Sequence, residues 1–517
     1  MQAAPGARSY RGSLIEAVGT TSAGEALWFD VEPGPEYAPL HGDLAVDVAI
    51  VGGGVAGLTV ALLLKRAGAK VAVLEARGVG TGVTGCTTAK VSALQTTVYS
   101  TIRRRRGEEA AATYADASSA GVERLARLAE EEAIECDLER RDAFTYAAEE
   151  SETRSIEQEA DAARAAGLPV ERVDASGLPY PVHGAVRLAD QVQFHPVHYA
   201  RGLAAALQGD GSHVFERTRA LSVAEGSPCA VRSAGGEVRA EHVVVATHYP
   251  FLDRGFYFAR LKPQRSYCIA ARLRDGAPPA GMSISAGSPT RSVRSYREYL
   301  IVGGEGHATG SGKASPERFE RLAAFASRHW DVERVTHRWS AQDPVPYDHL
   351  PMIGPYRPGS ARLWVSAGFM KWGFASATFA AMILADRIGG GENPWADAFA
   401  PTRLSLRSAH EVGEIGGKFA IDLLGDRLRL PQTRTARGVP RGEARVLPDG
   451  VGKKGVYRDE EGRLHGVSLR CTHMGCLLRF NSAERSWDCP CHGSRFGVDG
   501  AVLEGPAVRP LDPRDGG

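Results

Sequence analysis

The sequence has few of the features that mark membrane, nucleic-acid-binding and exported proteins. Its 62 lysines and arginines nearly balance its 61 aspartates and glutamates, so the net charge of +1 gives no general attraction to nucleic acid or anionic lipid. No stretch approaches the roughly 18 uncharged apolar residues that a membrane-spanning helix needs. The first residues, MQAAPGARSYRGSLIEAVG, contain neither an apolar export segment nor a twin arginine. We therefore expect a cytoplasmic protein with no membrane span and no nucleic-acid partner.

Cysteine is also scarce, with eight residues in 517, and half of them lie in one short C-terminal segment. This segment contains CTHMGC at residues 471–476 and CPCHGS at residues 489–494. In the expected compartment, clustered cysteines more often bind metal or do redox chemistry than form structural disulfides. At about 150 residues per domain the chain has room for about three domains, so other chemistry can lie elsewhere.

A glycine-rich turn near the other end of the chain indicates a dinucleotide site. The apolar run at residues 47–51 leads into Gly52, Gly54 and Gly57 with the spacing G-x-G-x-x-G, and a helical pattern and a second apolar run follow. In such a βαβ unit Gly52 permits the tight turn, Gly54 admits a pyrophosphate to the backbone, and Gly57 lets helix and strand pack closely. Glu75 ends the second strand, where its carboxylate would accept hydrogen bonds from ribose hydroxyls. A glycine turn without a ligand is the alternative.

The glycine-rich stretch at residues 302–313 does not have the pattern of a phosphate loop. The spacing G-x-x-x-x-G-K would need a glycine where His307 stands, and a serine or threonine where Ala314 stands. The stretch does not supply a second G-x-G-x-x-G for a nicotinamide either, which argues against a reductase that takes hydride from NADH.

Segments spread over residues 25–402 resemble the FAD-dependent oxidoreductases of the D-amino-acid oxidase type. Those that carry the resemblance include TGCTTAKVS at residues 84–92, VVVATH at 243–248, DHLPMIG at 348–354 and AGFMKWG at 367–373. The resemblance implies an α/β Rossmann-like FAD-binding domain that is interleaved with an antiparallel-sheet substrate domain. With the glycine turn, it predicts FAD contacts from Gly52, Gly54, Gly57, Glu75, Thr88, Lys90, Gly368, Lys371 and Gly373.

The cysteine-rich segment has the spacing of a Rieske [2Fe–2S] centre. Cys471-x-His473 is followed, after fifteen residues, by Cys489-x-x-His492. In such a centre two thiolates bind one iron and two imidazoles bind the other. Zinc also accepts two cysteines and two histidines, but a single residue between cysteine and histidine is poor spacing for a zinc site. A zinc site and plain disulfides remain the alternatives.

The C-terminal region resembles the cytochrome bc-type Rieske domains, which are small and all-β. The resemblance implies a disulfide between Cys476 and Cys491, which a zinc site would leave unexplained, and a proline-containing third loop at residues 505–507. In that family a serine and a tyrosine donate hydrogen bonds to the cluster sulfurs and raise its potential. Here Ser494 is present but Phe496 replaces the tyrosine, so we expect a lower potential.

The expected organisation follows from these segments. It has a leader segment at residues 1–45, the interleaved FAD and substrate domains at 46–402, a linker at 403–439 and the Rieske domain at 440–517. The linker is basic, and a helix is expected within it at residues 409–424.

The combination resembles bacterial-type fusions of a D-amino-acid-oxidase-like flavoprotein with a Rieske domain. It implies hydride transfer from an amine or amino acid to FAD, followed by single-electron transfer through the cluster to an unidentified acceptor. The alternatives are electron flow inward from an outside donor, and a scaffold or binding module that keeps both cofactors without catalysis. Arg265, Tyr267 and Arg294 flank the predicted substrate-side strands and are candidates for binding a substrate carboxylate, with surface positions as the alternative.

Overall fold

A computed structural model of the chain describes residues 26–274, 278–403, 432–433, 435–450 and 452–515, together with Gly413 and Gly417. Residues 26–403 form two large sheets with helices packed around them, and residues 435–515 form a small all-β unit. The helix expected at residues 409–424 falls outside the described ranges, apart from the two glycines.

The first sheet has eight strands. They are β1 (Leu44–Val51), β2 (Val71–Leu74), β7 (His213–Phe215), β8 (Ser222–Ala224), β9 (Cys229–Arg232), β10 (Glu237–Val245), β16 (Met352–Pro355) and β17 (Leu363–Ala367). Their order is β16-β17-β10-β1-β2-β7, with β9 on β10 and β8 on β9. The central pairs from β17 to β7 are parallel, and β2 is buried along its whole length, as expected where helices or loops cover both faces.

Most helices pack on one another and on this sheet, whereas the helix Glu317–His329 packs on the second sheet. They are α1 (Val55–Arg66), α2 (Val98–Arg106), α3 (Glu108–Glu131), α4 (Thr153–Ala165), α5 (Pro196–Leu207), α6 (Glu317–His329), α7 (Gly373–Ile388) and α8 (Ala396–Phe399). Gly121 allows α3 to approach α7 closely, because a Cβ there would lie 2.4 Å from the carbonyl oxygen of Ala375. Among the described residues, no helix combines the length and the apolar character that crossing a membrane requires.

The second sheet has nine strands. They are β3 (Lys90–Val91), β4 (Glu139–Tyr146), β5 (Glu171–Val173), β6 (Ala185–Gln193), β11 (Leu261–Leu273), β12 (Met282–Ser285), β13 (Arg291–Tyr296), β14 (Tyr299–Ala308) and β15 (Val332–Pro346). Their order is β15-β11-β14-β13-β12-β4-β6-β3, with β5 on β6, and every pair is antiparallel except β4 with β12. The chain alternates between the two sheets along its length, which confirms the predicted interleaved architecture.

The C-terminal unit has two four-stranded antiparallel sheets, which confirms the predicted all-β domain. One contains β18 (Ala444–Asp449), β19 (Gly452–Arg458), β20 (Leu464–Ser468) and β25 (Pro513–Arg514), and the other contains β21 (Arg479–Asn481), β22 (Ser486–Asp488), β23 (Arg495–Gly497) and β24 (Val502–Glu504). Trp487 is fully buried between them, and Gly455 lets β19 approach its ring.

Part of the expected leader segment packs against the FAD-binding region. Trp28 is fully buried, and its Nε1–H donates to the carbonyl oxygen of Thr87 at 2.7 Å. Its ring makes edge contacts with His195 and Tyr296. The domain boundaries expected at residues 45, 402 and 439 stay predictions.

Candidate active site and metal centre

The glycine turn joins the end of β1 to the start of α1 at the carboxyl edge of the first sheet. Gly52 has a φ of +115°, and a Cβ there would lie 2.5 Å from the carbonyl oxygen of Ala246. A Cβ at Gly57 would lie 1.9 Å from the carbonyl oxygen of Gly52. Both glycines are therefore required by the close approach of helix, turn and neighbouring strand.

Gly54, like Gly52, lines the cleft that opens beyond the turn. Helix α1 begins at Val55 without a side-chain cap from Gly54, and the N–H of Val55 donates to Thr84 Oγ1 at 3.1 Å. A Cβ at Gly54 would contact Thr84 Oγ1 at 3.0 Å. A helix N-terminus of this kind favours a phosphate, since its N–H groups and the helix dipole face the anion.

Glu75 also lines the cleft, and it holds the glycine turn in place. Its Oε2 accepts a hydrogen bond from the N–H of Gly53 at 2.7 Å, and its Oε1 accepts one from the N–H of Arg77 at 2.8 Å. The carboxylate predicted to meet a ribose is thus oriented by two backbone groups beside the turn.

The cleft runs from the glycine turn to the second sheet. Of the predicted FAD contacts, those that line it are Gly52, Gly54, Glu75, Thr88, Lys90, Lys371 and Gly373. Gly57 and Gly368 lie outside its lining, and a Cβ at Gly368 would lie 2.8 Å from the Pro346 side chain. Helix α7 begins at Gly373 and, like α1, has no side-chain cap. Two helix N-termini that open on one long cleft fit a ligand with more than one polar group, as in a dinucleotide.

Buried ionisable groups lie at one end of the cleft, where the second sheet forms the lining. Lys90 is 8% exposed, its Nζ donates to the carbonyl oxygen of Ser283 at 3.1 Å, and burial lowers its pKa to about 7. Burial raises the pKa of Asp343, even though Lys371 lies close to it. Lys371 donates to the hydroxyl of Ser266. A lysine that is partly neutral near pH 7 is able to accept a proton, which an exposed lysine does poorly.

The three residues predicted as candidates for binding a substrate carboxylate all contact other groups of the protein. Arg294 is fully buried and donates to the carbonyl groups of residues 88–89. Tyr267 is hydrogen-bonded to a histidine of the neighbouring strand at 3.0 Å. Arg265 contacts Glu484 of the C-terminal unit. None of the three is among the described residues that line the cleft, so the structure does not support a carboxylate site there.

Two loops of the C-terminal unit bring the four predicted cluster ligands together. The side chains of Cys471 and Cys489 share a hydrogen bond, which lowers the pKa of Cys471 and raises that of Cys489. The Nδ1 atoms of His473 and His492 lie 3.2 Å apart. Cys471, Cys489 and His492 are buried, and the side chain of His473 is 6% exposed. Paired thiols beside paired imidazoles fit a centre in which one iron takes sulfur and the other takes nitrogen.

Cys476 and Cys491 form a disulfide that joins the two loops, with an S–S distance of 2.09 Å. The pairing implied by the family resemblance is therefore present. The sulfur of Cys489 lies within 4.8 Å of both disulfide sulfurs. Because a disulfide offers no thiolate, these three sulfurs do not form a metal site together.

The C-terminal unit packs on the rest of the chain with its cluster loops at the contact. His473 Nε2 lies 2.7 Å from Asp253 Oδ1, and the ring of His492 lies 5.7 Å from the ring of Phe258 between centroids. Residues 503–508, which include the predicted proline loop, form part of the cleft lining. The cluster domain therefore forms one wall of the cleft that contains the predicted FAD contacts.

A buried charge network joins the cluster domain to the second sheet. Glu484 pairs with both Arg265 of β11 and Arg495 of β23, and Arg495 donates to Glu504 at 2.7 Å. Burial alone would raise the pKa of Glu484, but the two arginines hold it well below its usual range. Ion pairs this deeply buried are strongly coupled, so the loss of one partner leaves an uncompensated charge.

The glycine-rich stretch at residues 302–313 contributes to the same contact. Gly310 has a φ of +65°, and a Cβ there would lie 2.5 Å from the nitrogen of Pro490, next to a predicted cluster ligand. Sequence reasoning missed this docking role, and it missed Asp253 and Glu484. The only signal was a run of glycines that no ligand motif explained.

Comparisons with known proteins match both halves of the molecule. A family model described as FAD dependent oxidoreductase matches residues 47–387, and one described as Rieske [2Fe-2S] domain matches residues 435–513. A Bacillus subtilis protein, "Putative Rieske 2Fe-2S iron-sulfur protein YhfW", is 34% identical over 506 residues, which are 95% of this chain and 98% of the relative.

Two further proteins are similar to the N-terminal part. The gamma-glutamylputrescine oxidoreductase of Escherichia coli is 28% identical over 219 residues, which are 41% of this chain and 51% of the relative. The structure of glycine oxidase from Geobacillus kaustophilus matches with a TM-score of 0.58 at 20% identity, over 70% of this chain and 100% of that one. This last likeness shows a shared fold.

Proposed function

Since the chain belongs to the DAO family of FAD-dependent oxidoreductases and carries a C-terminal Rieske [2Fe–2S] domain, we propose that it oxidises an amine or amino acid and delivers the electrons singly to an acceptor. The family binds FAD and Rieske domains bind a [2Fe–2S] cluster, so both cofactors predicted from the sequence are confirmed. When bound, FAD supplies hydride acceptance and the cluster supplies one-electron exchange. The observation that carries the proposal is the shared wall, because cluster-domain residues 503–508 line the FAD cleft.

We assign two separate polar parts of FAD to the helix N-termini at Val55 and Gly373. Gly54 and the start of α1 would receive the pyrophosphate, and Glu75 would accept from the ribose hydroxyls. Lys371 and Gly373 would contact the flavin end. Gly52, Gly57 and Gly368 act indirectly, by allowing the backbone conformations on which these contacts depend.

We assign the cluster to Cys471, Cys489, His473 and His492. The two thiols lie together, and the two Nδ1 atoms lie together. A Rieske centre needs this grouping, because sulfur ligands bind one iron and nitrogen ligands bind the other.

Lys90 supports an amine or amino acid as substrate. An amine is protonated near pH 7, and it must lose that proton before its lone pair can assist departure of hydride from the adjacent carbon. Lys90 lines the cleft and is partly neutral at that pH, so it is suited to accept the proton. The names of the E. coli relative and of the glycine oxidase structure, one an amine and one an amino-acid enzyme, point the same way.

An anaerobic screen of amines and amino acids tests the proposal. A substrate should bleach the flavin absorption and then produce the spectrum of a reduced [2Fe–2S] centre. The Cys489→Ser variant is the matched control, since it should still bleach with the same substrate but should no longer reduce an added one-electron acceptor. Failure of every amine and amino acid to bleach a flavin that dithionite does reduce would overturn the substrate class. Equal reduction of the acceptor by the variant would overturn the electron route.

A further inference from the structure

The two predicted histidine ligands have different surroundings on the side that faces away from their paired Nδ1 atoms. His473 Nε2 lies 2.7 Å from Oδ1 of Asp253, a residue in the connection between β10 and β11 of the FAD-binding part. The ring of His492 instead lies against the rings of Phe258 and Tyr249. One ligand therefore contacts a carboxylate from the other domain, and the second contacts aromatic side chains.

The contact between Asp253 and His473 has the geometry of a metal ligand oriented by a carboxylate. An imidazole that binds iron through Nδ1 carries its proton on Nε2, and Nε2–H is the group that donates to Asp253. Such a hydrogen bond fixes the tautomer and the ring orientation, and it makes the ligand a stronger electron donor.

Other contacts also hold the two domains together. The cluster domain is joined to the second sheet by the buried Arg265–Glu484 pair, and Gln342 donates to the carbonyl oxygen of Gly493 in a cluster loop at 3.0 Å. The side chain of Asp253 is 57% exposed, whereas that of His473 is only 6% exposed. An exposed carboxylate contributes little to docking energy, but it still acts directly on a buried ligand.

We propose that Asp253 is a positioning residue through which the FAD-binding domain tunes the Rieske cluster, because it orients His473 and lowers the reduction potential of the centre. This proposal rests on the proposed assignment of His473 as a ligand. The negative charge of Asp253 favours the oxidised cluster, which carries the more positive charge. Phe496 stands where the bc-type domains have a tyrosine, and the loss of that hydrogen-bond donor also lowers the reduction potential. The two features together make reduction of the cluster less favourable than in the bc-type domains.

The test compares full-length variants by redox titration, with the reduced cluster followed by electron paramagnetic resonance. Asp253→Asn keeps a hydrogen-bond acceptor and the side-chain size but removes the charge. We expect it to favour reduction by about threefold to tenfold, which corresponds to roughly 30–60 mV for a one-electron couple. The spectrum should shift as well. Asp253→Glu keeps the charge and should keep most of the original potential. Glu461→Gln is the control: it removes an exposed carboxylate that belongs to the cluster domain itself, and it should change the potential little.

The outcomes separate this inference from the proposed function. Wild-type protein without iron and acid-labile sulfide would overturn the cluster assignment itself. An intact cluster whose potential and spectrum are the same in Asp253→Asn and wild type would overturn the role of Asp253 alone. Loss of the cluster in Asp253→Asn, with recovery in Asp253→Glu, would support the orienting role. Altered thermal stability with an unchanged potential would show that the contact serves only docking, and would also overturn the proposal.

Discussion

The FAD cleft and the cluster site use the chain in different ways. The cleft draws its lining from residues between Val51 and Val508, on both large sheets and the cluster domain, and the glycine turns at 52–54 and 303–304 are part of it. The cluster site takes four side chains from two loops within residues 471–492, and a disulfide joins those loops. A site distributed over the whole chain depends on backbone shape at many places. A local site depends on a few side chains, so damage to one site should spare the other.

The largest expected effect comes from breaking the cleft alone. Gly54→Val adds a branched side chain where the backbone should approach a pyrophosphate, whereas the cluster loops are remote in sequence and have their own ligands. We expect at least about a tenfold loss of FAD occupancy with an unchanged content of iron and sulfide, measured on purified protein. Ala67→Val, at the exposed C-terminal end of the same helix, is the control. Normal FAD occupancy in Gly54→Val would refute the pyrophosphate assignment.

A second change affects both sites at once, because it acts on the contact between them. Arg265→Met leaves Glu484 buried with one arginine fewer, and removing one partner of a buried pair costs about 3–5 kcal/mol. Denaturant unfolding should report this loss. Arg274→Met breaks an exposed pair with Asp331 and should cost less than about 1 kcal/mol. Equal losses in the two variants would mean that the charge network does not hold the cluster domain.

A third change tests Lys90 within the cleft. The neutral form of Lys90 accepts the proton and its pKa is lowered to about 7, so the rate of flavin bleaching at low substrate should rise as pH increases through about 7. Lys90→Met should abolish that rise and slow the reaction by about 10²-fold. Lys262→Met, an exposed lysine on β11, should keep the wild-type pH profile. The same profile in Lys90→Met would assign the proton acceptor elsewhere.

The smallest expected effects concern the cluster potential. Ser494 Oγ accepts from the N–H of Ala507 at 3.0 Å and lies beside Cys471, so its own O–H is directed to donate toward the cluster. Ser494→Ala should lower the potential and Phe496→Tyr should raise it, each by about 1–3 kcal/mol on the scale of hydrogen bonds to charged groups. Redox titration of the full chain measures both. An unchanged potential in Phe496→Tyr, with the cluster spectrum intact, would show that this side chain does not face the cluster.

The parts that the sequence predicts well are the local ones. The G-x-G-x-x-G turn and the two cysteine–histidine loops each lie within one short stretch, where spacing alone limits the geometry. The FAD contacts Thr88, Lys90 and Lys371 were predicted only through the family resemblance, and they do line the cleft.

The parts that the sequence does not predict depend on how the domains meet. Arg265 and Arg294 flank substrate-side strands, but a position in sequence does not reveal which buried acid or carbonyl a side chain will reach. Asp253 lies far from His473 along the chain, and nothing in its neighbourhood indicates a ligand partner. Gly310 has a positive φ, and Pro490 of the cluster domain packs against the space that a side chain would occupy. The contacts of Arg265, Asp253 and Gly310 exist only once the cluster domain has docked, whereas Arg294 reaches carbonyl groups within the first part of the chain.

The loop at residues 503–508 also has a consequence for how the protein is made. Chains emerge from the ribosome N-terminus first, and domains generally fold as they emerge. The glycine turn and both large sheets are therefore complete before the last wall of the FAD cleft has been synthesised. Until that loop docks, the nascent cleft is open to solvent on one side. The C-terminal domain is therefore the last wall of the cleft to be made, and it closes a site whose other walls come from the earlier part of the chain.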